Sequence, residues 1–277
     1  MPTTTHDILT DEDAVYAQIE ATVEQNNVFR NAFRPADLSG ANSEVVNFVV
    51  HEDDESDIEI VPEGGEYPRD MSERRRVPCY RDKYGEEYAI TMEALNDGIF
   101  DDVAEEANAK MRRMAERMDA AAAEVLQAAT TDNDHSAIGD DNGTLTYADI
   151  VDANTTLLDD PFQFSPDQLY VGPQGMGDLL KDEVLTHASE DGDERISSGM
   201  VGTIVGIGDV YMSNSGVLGA GEAILVDSSK LGREGVWLDM DTREYQEPSK
   251  DVERVMQMKT LRGWAALRSN AAIPING

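Results

Sequence analysis

The chain has 277 residues, with 56 Asp and Glu against 22 Lys and Arg, for a formal net charge of −34. That length can bury a substantial core and holds one large domain or two modest ones. So large a negative charge repels nucleic acid and anionic membranes at ordinary ionic strength, which excludes a free-standing nucleic-acid reader.

The basic residues are 16 Arg and only 6 Lys, and the acids are spread along the whole chain. This distribution points to a high-salt proteome, in which concentrated salt screens self-repulsion and a dense carboxylate surface keeps water and cations bound. The single cysteine, Cys79, rules out an internal disulfide framework and reads as a buried thiol. Residues 1–15 show neither a basic segment nor an apolar run, so no signal peptide is expected. No apolar stretch approaches the ~20 residues that a bilayer crossing needs, so a soluble product without membrane contact is expected.

Residues 1–43 offer one amphipathic helix at most, with Ala14, Val15, Ile19 and Val23 on its apolar face. In the following stretch Phe29 and Phe33 alternate with Arg30 and Arg34 before Pro35. A segment this thinly apolar is expected to lie as an arm on something else. Residues 44–50, EVVNFVV, read as a strand leading into a run in which six of the eight residues 52–59 are acidic. That run reads as a solvated loop, since no ligand spacing in it selects a metal. A short strand at residues 58–61 then reaches a tip at Pro62, Glu63, Gly64, Gly65 and Pro68. Arg74, Arg75 and Arg76 form the one run of three basic residues, and residues 77–90 return extended. Such a two-stranded excursion is marginal in isolation and calls for support from another subunit.

The organising stretch is residues 91–129. Leu95, Ile99, Val103, Ala107, Met111, Met114, Met118, Ala122, Val125 and Ala129 recur in steps of three or four, the stripe of an α-helix. Thr91 is placed to cap it, acids crowd its first half and basic residues follow. Counted only beyond Gly98, it is roughly 46 Å long, against a diameter of about 50 Å for a globule of this size. It is a spine that crosses the molecule.

Residues 130–143 form a polar linker. Asp132, Asp134 and Ser136 begin a calcium-loop pattern that fails at Ala137 and Gly143. Beyond it the pattern predicts a helix carrying Tyr147, Ile150, Val151, Leu157 and Leu158, a strand at 168–171, and a helix with Met176, Leu179, Leu180, Val184 and Leu185. Short strands follow at 201–205, 209–212 and 223–226. This alternation suggests a second α/β lobe. Residues 235–275 read as antiparallel strands that close the fold against the spine.

Chemistry is hard to find. His6, His51, His135 and His187 are scattered in polar contexts, and no nucleophile elbow, zinc-protease helix or phosphate-binding loop occurs. Gly202, Gly206, Gly208, Gly219 and Gly221 lack the setting of a dinucleotide fingerprint and read as turns between strands. No catalytic residue, cofactor or metal site is assigned.

The order of parts is more informative. IVPEGGEYP at 60–68, AITMEALND at 89–97, and the pair GTIVGIGDVYMSNS at 202–215 and GWAALRSNAAIPI at 263–275 resemble, in that order, the extended-loop tip, the start of the spine helix and the closing strands of the major capsid protein of tailed double-stranded DNA viruses. This is the phage-type coat fold that encapsulins share. The resemblance implies an α+β fold with an N-terminal arm at 1–43, an extended β loop at 44–90, and a peripheral domain made of the spine, 91–131, and closing strands, 241–277. Residues 132–240 would form the axial α/β domain. It further implies a structural protein making hexamers and pentamers of an icosahedral shell around double-stranded DNA, enclosed without sequence-specific binding; joined to the acidic composition, it leads to the expectation of a virus of a halophilic archaeal host. Partners would be other copies of the chain and capsid, portal or decoration proteins. Candidate inter-subunit contacts are Arg30, Arg34, Glu63, Gly64, Gly65, Arg74, Arg75 and Arg76. An encapsulin-like compartment and a halophilic enzyme or binding protein are the alternatives.

Overall fold

The computed structural model describes residues 28–51, 74–91, 100–140, 142–181, 200–204, 208–213, 216–247 and 252–277. The spine is α1 (Phe100–Thr131), a helix of 32 residues, about 48 Å long at ~1.5 Å per residue. Thr91, expected to cap it, instead ends a strand (β4, Asp82–Thr91) and pairs with Val252. The helix buries Met111, Met114, Met118, Ala122 and Ala129, as the stripe predicts, while Val125 is half-buried. Ala115, Asp119, Ala123 and Leu126 widen the inner face. The face is broad because α1 packs on two sheets at once, touching β4 and β10 (Val252–Ala266) on one side and β11 (Ala272–Asn276) on the other.

The first sheet has four strands in the order β1-β9-β10-β4. Long strands β9 (Gly232–Glu247) and β10 run antiparallel, and β4 joins the far edge of β10. The arm strand β1 (Arg34–Asp37) lies parallel to β9, from Arg34 opposite Arg233 to Asp37 opposite Val236. Ahead of it a single 3-10 turn (Phe29–Ala32) buries Phe29 and Ala32. The described part of the arm, from Val28 on, thus lies on the body, as a segment with two aromatic anchors should, while the amphipathic helix expected around Ala14 to Val23 lies outside the described residues.

The second sheet has five strands in the order β11-β8-β5-β7-β6, formed by β5 (Gln168–Val171), β6 (Met200–Ile204), β7 (Gly208–Met212), β8 (Glu222–Val226) and β11. Leu169, Tyr170 and Val171 in β5, and Ile224, Leu225 and Val226 in β8, are all buried. Both strands are interior and covered on two faces, hence their unbroken apolar runs. Gly208 and Gly221 turn the chain into β7 and β8 with φ of 108° and 73°, a region that favours glycine. Helix α2 (Tyr147–Asp159) opens on a capping box between Thr146 and Asp149, and α3 (Pro173–Leu179) starts with proline in its first turn. A one-turn helix, α4 (Ser228–Leu231), is capped by Asp227 and connects the two sheets.

Two sheet assignments differ from the sequence-based grouping. The closing strands do not all join the spine's sheet, because β11 pairs with β8 from Ala272 opposite Val226 to Asn276 opposite Glu222. Ala272, Ile273 and Ile275 have no exposure, so β11 has no polar face and suits a site covered on both sides. Conversely, residues 232–240, which the family resemblance places in the axial domain, are the first half of β9, in keeping with the reading of 235 onward as a closing strand. One continuous core links the two sheets through α1, and a ladder of stacked rings runs from Phe29 to Tyr170 to Tyr211, each step 5.4 Å between centroids.

A candidate inter-subunit surface

Strands β2 (Val45–His51) and β3 (Arg74–Tyr80) form a two-stranded antiparallel ribbon outside both sheets, in register from Val45 opposite Tyr80 to His51 opposite Arg74. Because side chains alternate along a strand, the ribbon has two unlike faces. Val46, Phe48, Val77 and Cys79 turn inward onto Trp237, Ala265, Leu38, Ala41 and Leu261. Val45, Asn47, Val49 and His51 turn outward with Arg74, Arg76, Pro78 and Tyr80, and every one of these eight is exposed. Val49 is 52% exposed and Tyr80 62%. An exposed apolar strip with two guanidiniums at one end is complementary to a surface that offers apolar area and carboxylates, which makes this face the candidate.

The ribbon is seated by close backbone approach. Gly235 and Gly263 sit opposite each other on β9 and β10. A Cβ on Gly263 would overlap the Tyr80 carbonyl oxygen, and one on Gly235 would lie 3.2 Å from Cys79 Sγ. Burial pushes the Cys79 thiol up to about 11, with the Gly235 N–H acting in the opposite direction.

The predicted contact residues fall in different environments. Arg34 is exposed on β1, and Arg74, Arg75 and Arg76 are exposed on β3. Arg75 alternates to the side opposite Arg74 and Arg76 and donates from Nη2 to the Leu267 carbonyl at 2.7 Å. Arg30 is engaged within its own chain. Its Nε donates to Glu234 Oε1 at 3.0 Å, and the same oxygen accepts from Arg262 Nη1 at 2.9 Å. Arg262 reaches onward to Asp239 and Thr260. Glu63, Gly64 and Gly65, the acidic run at 52–59 and the loop at 189–199 lie outside the described residues.

The arm's 3-10 turn is held from below by Asp119, whose Oδ1 accepts from the backbone N–H groups of Val28 at 2.9 Å and Arg30 at 3.2 Å. Burial holds the Asp119 carboxyl above its ordinary range, with those N–H groups and Arg30 pulling the other way. Sequence reasoning passed over Asp119, Glu234 and Arg262. The one signal for Asp119 is a polar residue between Met118 and Ala122 on an apolar helix face. The other two are charges in strands and carry no periodic mark.

Among the described residues little else is arranged for chemistry. Among the described residues no three His, Cys, Asp or Glu are grouped to hold a metal ion. His135 Nε2 lies 3.3 Å from Asp160 Oδ2 at an open cleft with Thr155, Thr156, Asp159 and Pro161. Asp134, from the broken calcium pattern, is bonded to the Asn270 side chain. No helix among the described residues is long and apolar enough to cross a membrane.

Residues 80–270 match the family described as phage capsid protein. In fold the chain is similar to a solved structure from Mycobacterium phage Che8, at 15% identity over 90% of this chain and 91% of that one, with a TM-score of 0.63. It is similar also to the capsid structure of the Cyanophage P-SCSP1u, at 11% identity over 90% and 87%, with a TM-score of 0.62. A third likeness is to the virus-like particle from Pyrococcus furiosus, at 11% identity over 94% and 96%, with a TM-score of 0.56. At such identities the likeness concerns the fold. No curated protein sequence matches the chain.

Proposed function

We propose, on the premise that this chain belongs to the phage capsid protein family, that it is the major capsid subunit of a tailed double-stranded DNA virus. The family is structural and non-enzymatic. The match over residues 80–270 is the single observation that carries the proposal. In this reading copies of the chain assemble into hexamers and pentamers of an icosahedral shell, with portal and decoration proteins as further partners. Residues 1–43 serve as the arm, 44–90 as the extended loop and 91–131 with 241–277 as the peripheral domain. Residues 132–240 serve as the axial domain, with the exchanges at β9 and β11 noted above.

The ribbon's outer face supplies inter-subunit contact in this account. Arg34, Arg74 and Arg76 meet carboxylates of a neighbour, and Glu63, Gly64 and Gly65 are further contact residues in this reading. Arg30 supports it indirectly by fixing the arm. The net charge of −34 supports a halophilic, archaeal host: in molar salt the screening length falls to about 3 Å, so subunits this acidic can approach. It also implies that DNA is enclosed, not gripped by a basic lining. Because the fold is shared with a virus-like particle, a cargo-filled compartment is the second reading. Electron microscopy of particles purified from their natural source, followed by nuclease digestion and nucleic-acid extraction, separates the two. Double-stranded DNA inside supports the viral subunit, and a protein cargo in its place overturns it in favour of the compartment.

A further inference from the structure

The far end of the ribbon is tied to two other parts of the fold by one guanidinium. Arg268 Nη2 donates to the His51 carbonyl at 2.8 Å, at the end of β2, while its guanidinium lies over the Phe162 ring at 4.5 Å. Phe162 belongs to the turn that follows α2, on the side of the five-stranded sheet. That turn is fixed on several sides. Asp160 Oδ1 accepts from the Phe162 N–H at 2.9 Å, and Lys230 Nζ donates to the Phe162 and Gln163 carbonyls at 2.7 and 2.8 Å. Gln163 is held at a φ of 48°, a conformation a side-chain-bearing residue adopts only when its surroundings impose it.

The backbone at Arg268 is equally pinned. The N–H groups of Leu267 and Arg268 both donate to the Leu231 carbonyl, at 2.7 and 3.1 Å. From the ribbon side Arg75 returns the contact by donating to the Leu267 carbonyl. Two arginines therefore cross between the same two segments in opposite directions, and one of them also rests on a rigid aromatic platform. A planar guanidinium can lie flat against a ring while it donates in its own plane, a geometry that a compact ammonium does not reproduce.

We propose that Arg268 is the positioning residue that sets the angle of the β2–β3 ribbon relative to the five-stranded lobe, with Phe162 and Arg75 as its supports. This deepens the proposed function and rests on it in one respect, that the ribbon is the element presented to a neighbouring copy. The apolar inner face seats the ribbon beside Gly263, and the Arg268 tie holds its far end at a fixed angle to that seat, so that its outer face meets a neighbour in one orientation.

The test measures a distance inside one chain. Spin labels are placed at Val49→Cys on the ribbon and Val151→Cys on α2 in a Cys79→Ser background, and labelled chains are diluted in an excess of unlabelled chain, so that assembly does not contribute. Pulsed electron resonance is expected to give one narrow distance distribution for the parent. Arg268→Ala and Phe162→Leu should each broaden it at least twofold, and Arg268→Lys, which keeps a donor but loses the plane, should fall between. Far-ultraviolet circular dichroism checks that each variant is folded, and Phe162→Leu, which keeps apolar bulk, serves if Arg268→Ala is not. A distribution left unchanged by Phe162→Leu, and by Arg268→Ala where it folds, overturns the proposal. If distances broaden but no chain forms shells, the positioning role stands and the shell role fails. If shells form while distances stay narrow in every variant, the reverse holds.

Discussion

Gly263 lies directly beneath the carbonyl of Tyr80, so close that a Cβ at position 263 would occupy the same space as the Tyr80 oxygen. The contact lets β3 cross the β9–β10 pair at backbone distance, and it places the sole cysteine of the chain underneath. The inner edge of the candidate surface is thus fixed by an absent side chain.

Gly263→Ala should lift the ribbon at a cost of about 1–3 kcal/mol, the range for overpacking a close contact. Cys79 reports this directly. Buried and pushed up to about 11, the thiol should resist a maleimide at neutral pH in the parent and react at least tenfold faster in the variant. Equal rates in the two proteins would show that the ribbon is not seated on Gly263.

Asp119 gives a pH signature of defined sign. Its carboxyl is raised above the ordinary 3.8 by burial, so it binds its proton more tightly folded than unfolded. Its contribution to stability is complete below the ordinary value and is lost as the pH rises through the raised one. Asp119→Asn keeps an oxygen to accept from Val28 and Arg30 but cannot ionise. In denaturant titrations at fixed salt between about pH 3 and about pH 7, the stability of the parent minus that of the variant should therefore fall as pH increases. A difference that grows with pH would mean the native carboxylate is favoured as an ion.

Glu234 accepts from Arg30 and Arg262 together, and its side chain is 5% exposed. Glu234→Ala takes the carboxylate from the largely buried Arg30 guanidinium and leaves Arg262 with Asp239 and Thr260 only, and should destabilise the fold by about 3–5 kcal/mol. Arg30→Met removes one of the two guanidiniums and leaves Glu234 paired with Arg262, so its loss should be clearly smaller. Thermal melts of the two variants at one salt concentration check the order, which reverses if Arg30 rather than Glu234 is the hub.

The ribbon's outer face should matter to assembly and little to the fold. Tyr80→Asp, or Arg74→Glu with Arg76→Glu, changes exposed positions, where substitutions ordinarily shift stability by no more than ~0.5 kcal/mol. Each should nevertheless abolish higher assembly as followed by sedimentation velocity. Unaltered assembly by both variants would remove this face from the interface.

What could be read from residues alone follows a physical divide. β5, β7 and β8 have continuous apolar patterns that survive to within a residue, and the spine keeps its stripe from Met111 onward, whereas in the Tyr147 helix Ile150 and Leu157 are buried but Val151 and Leu158 are exposed. Which sheet each strand joins is set by partners distant in sequence. Hence β11 pairs with β8, and Thr91 extends β4 where a helix cap was expected. The basic run was visible, but its division into outward Arg74 and Arg76 and a tethering Arg75 depends on strand register. The glycine window at Gly235 and Gly263 carries no local signal, because it is defined by what lies across it.

The central claim is tested most directly by electron microscopy with light scattering of the purified chain in molar salt, with and without co-expressed scaffolding candidates. The account predicts closed shells of uniform diameter that come apart as salt is withdrawn and the acidic subunits repel. A stable monomer or small oligomer under every salt and scaffold condition would contradict it.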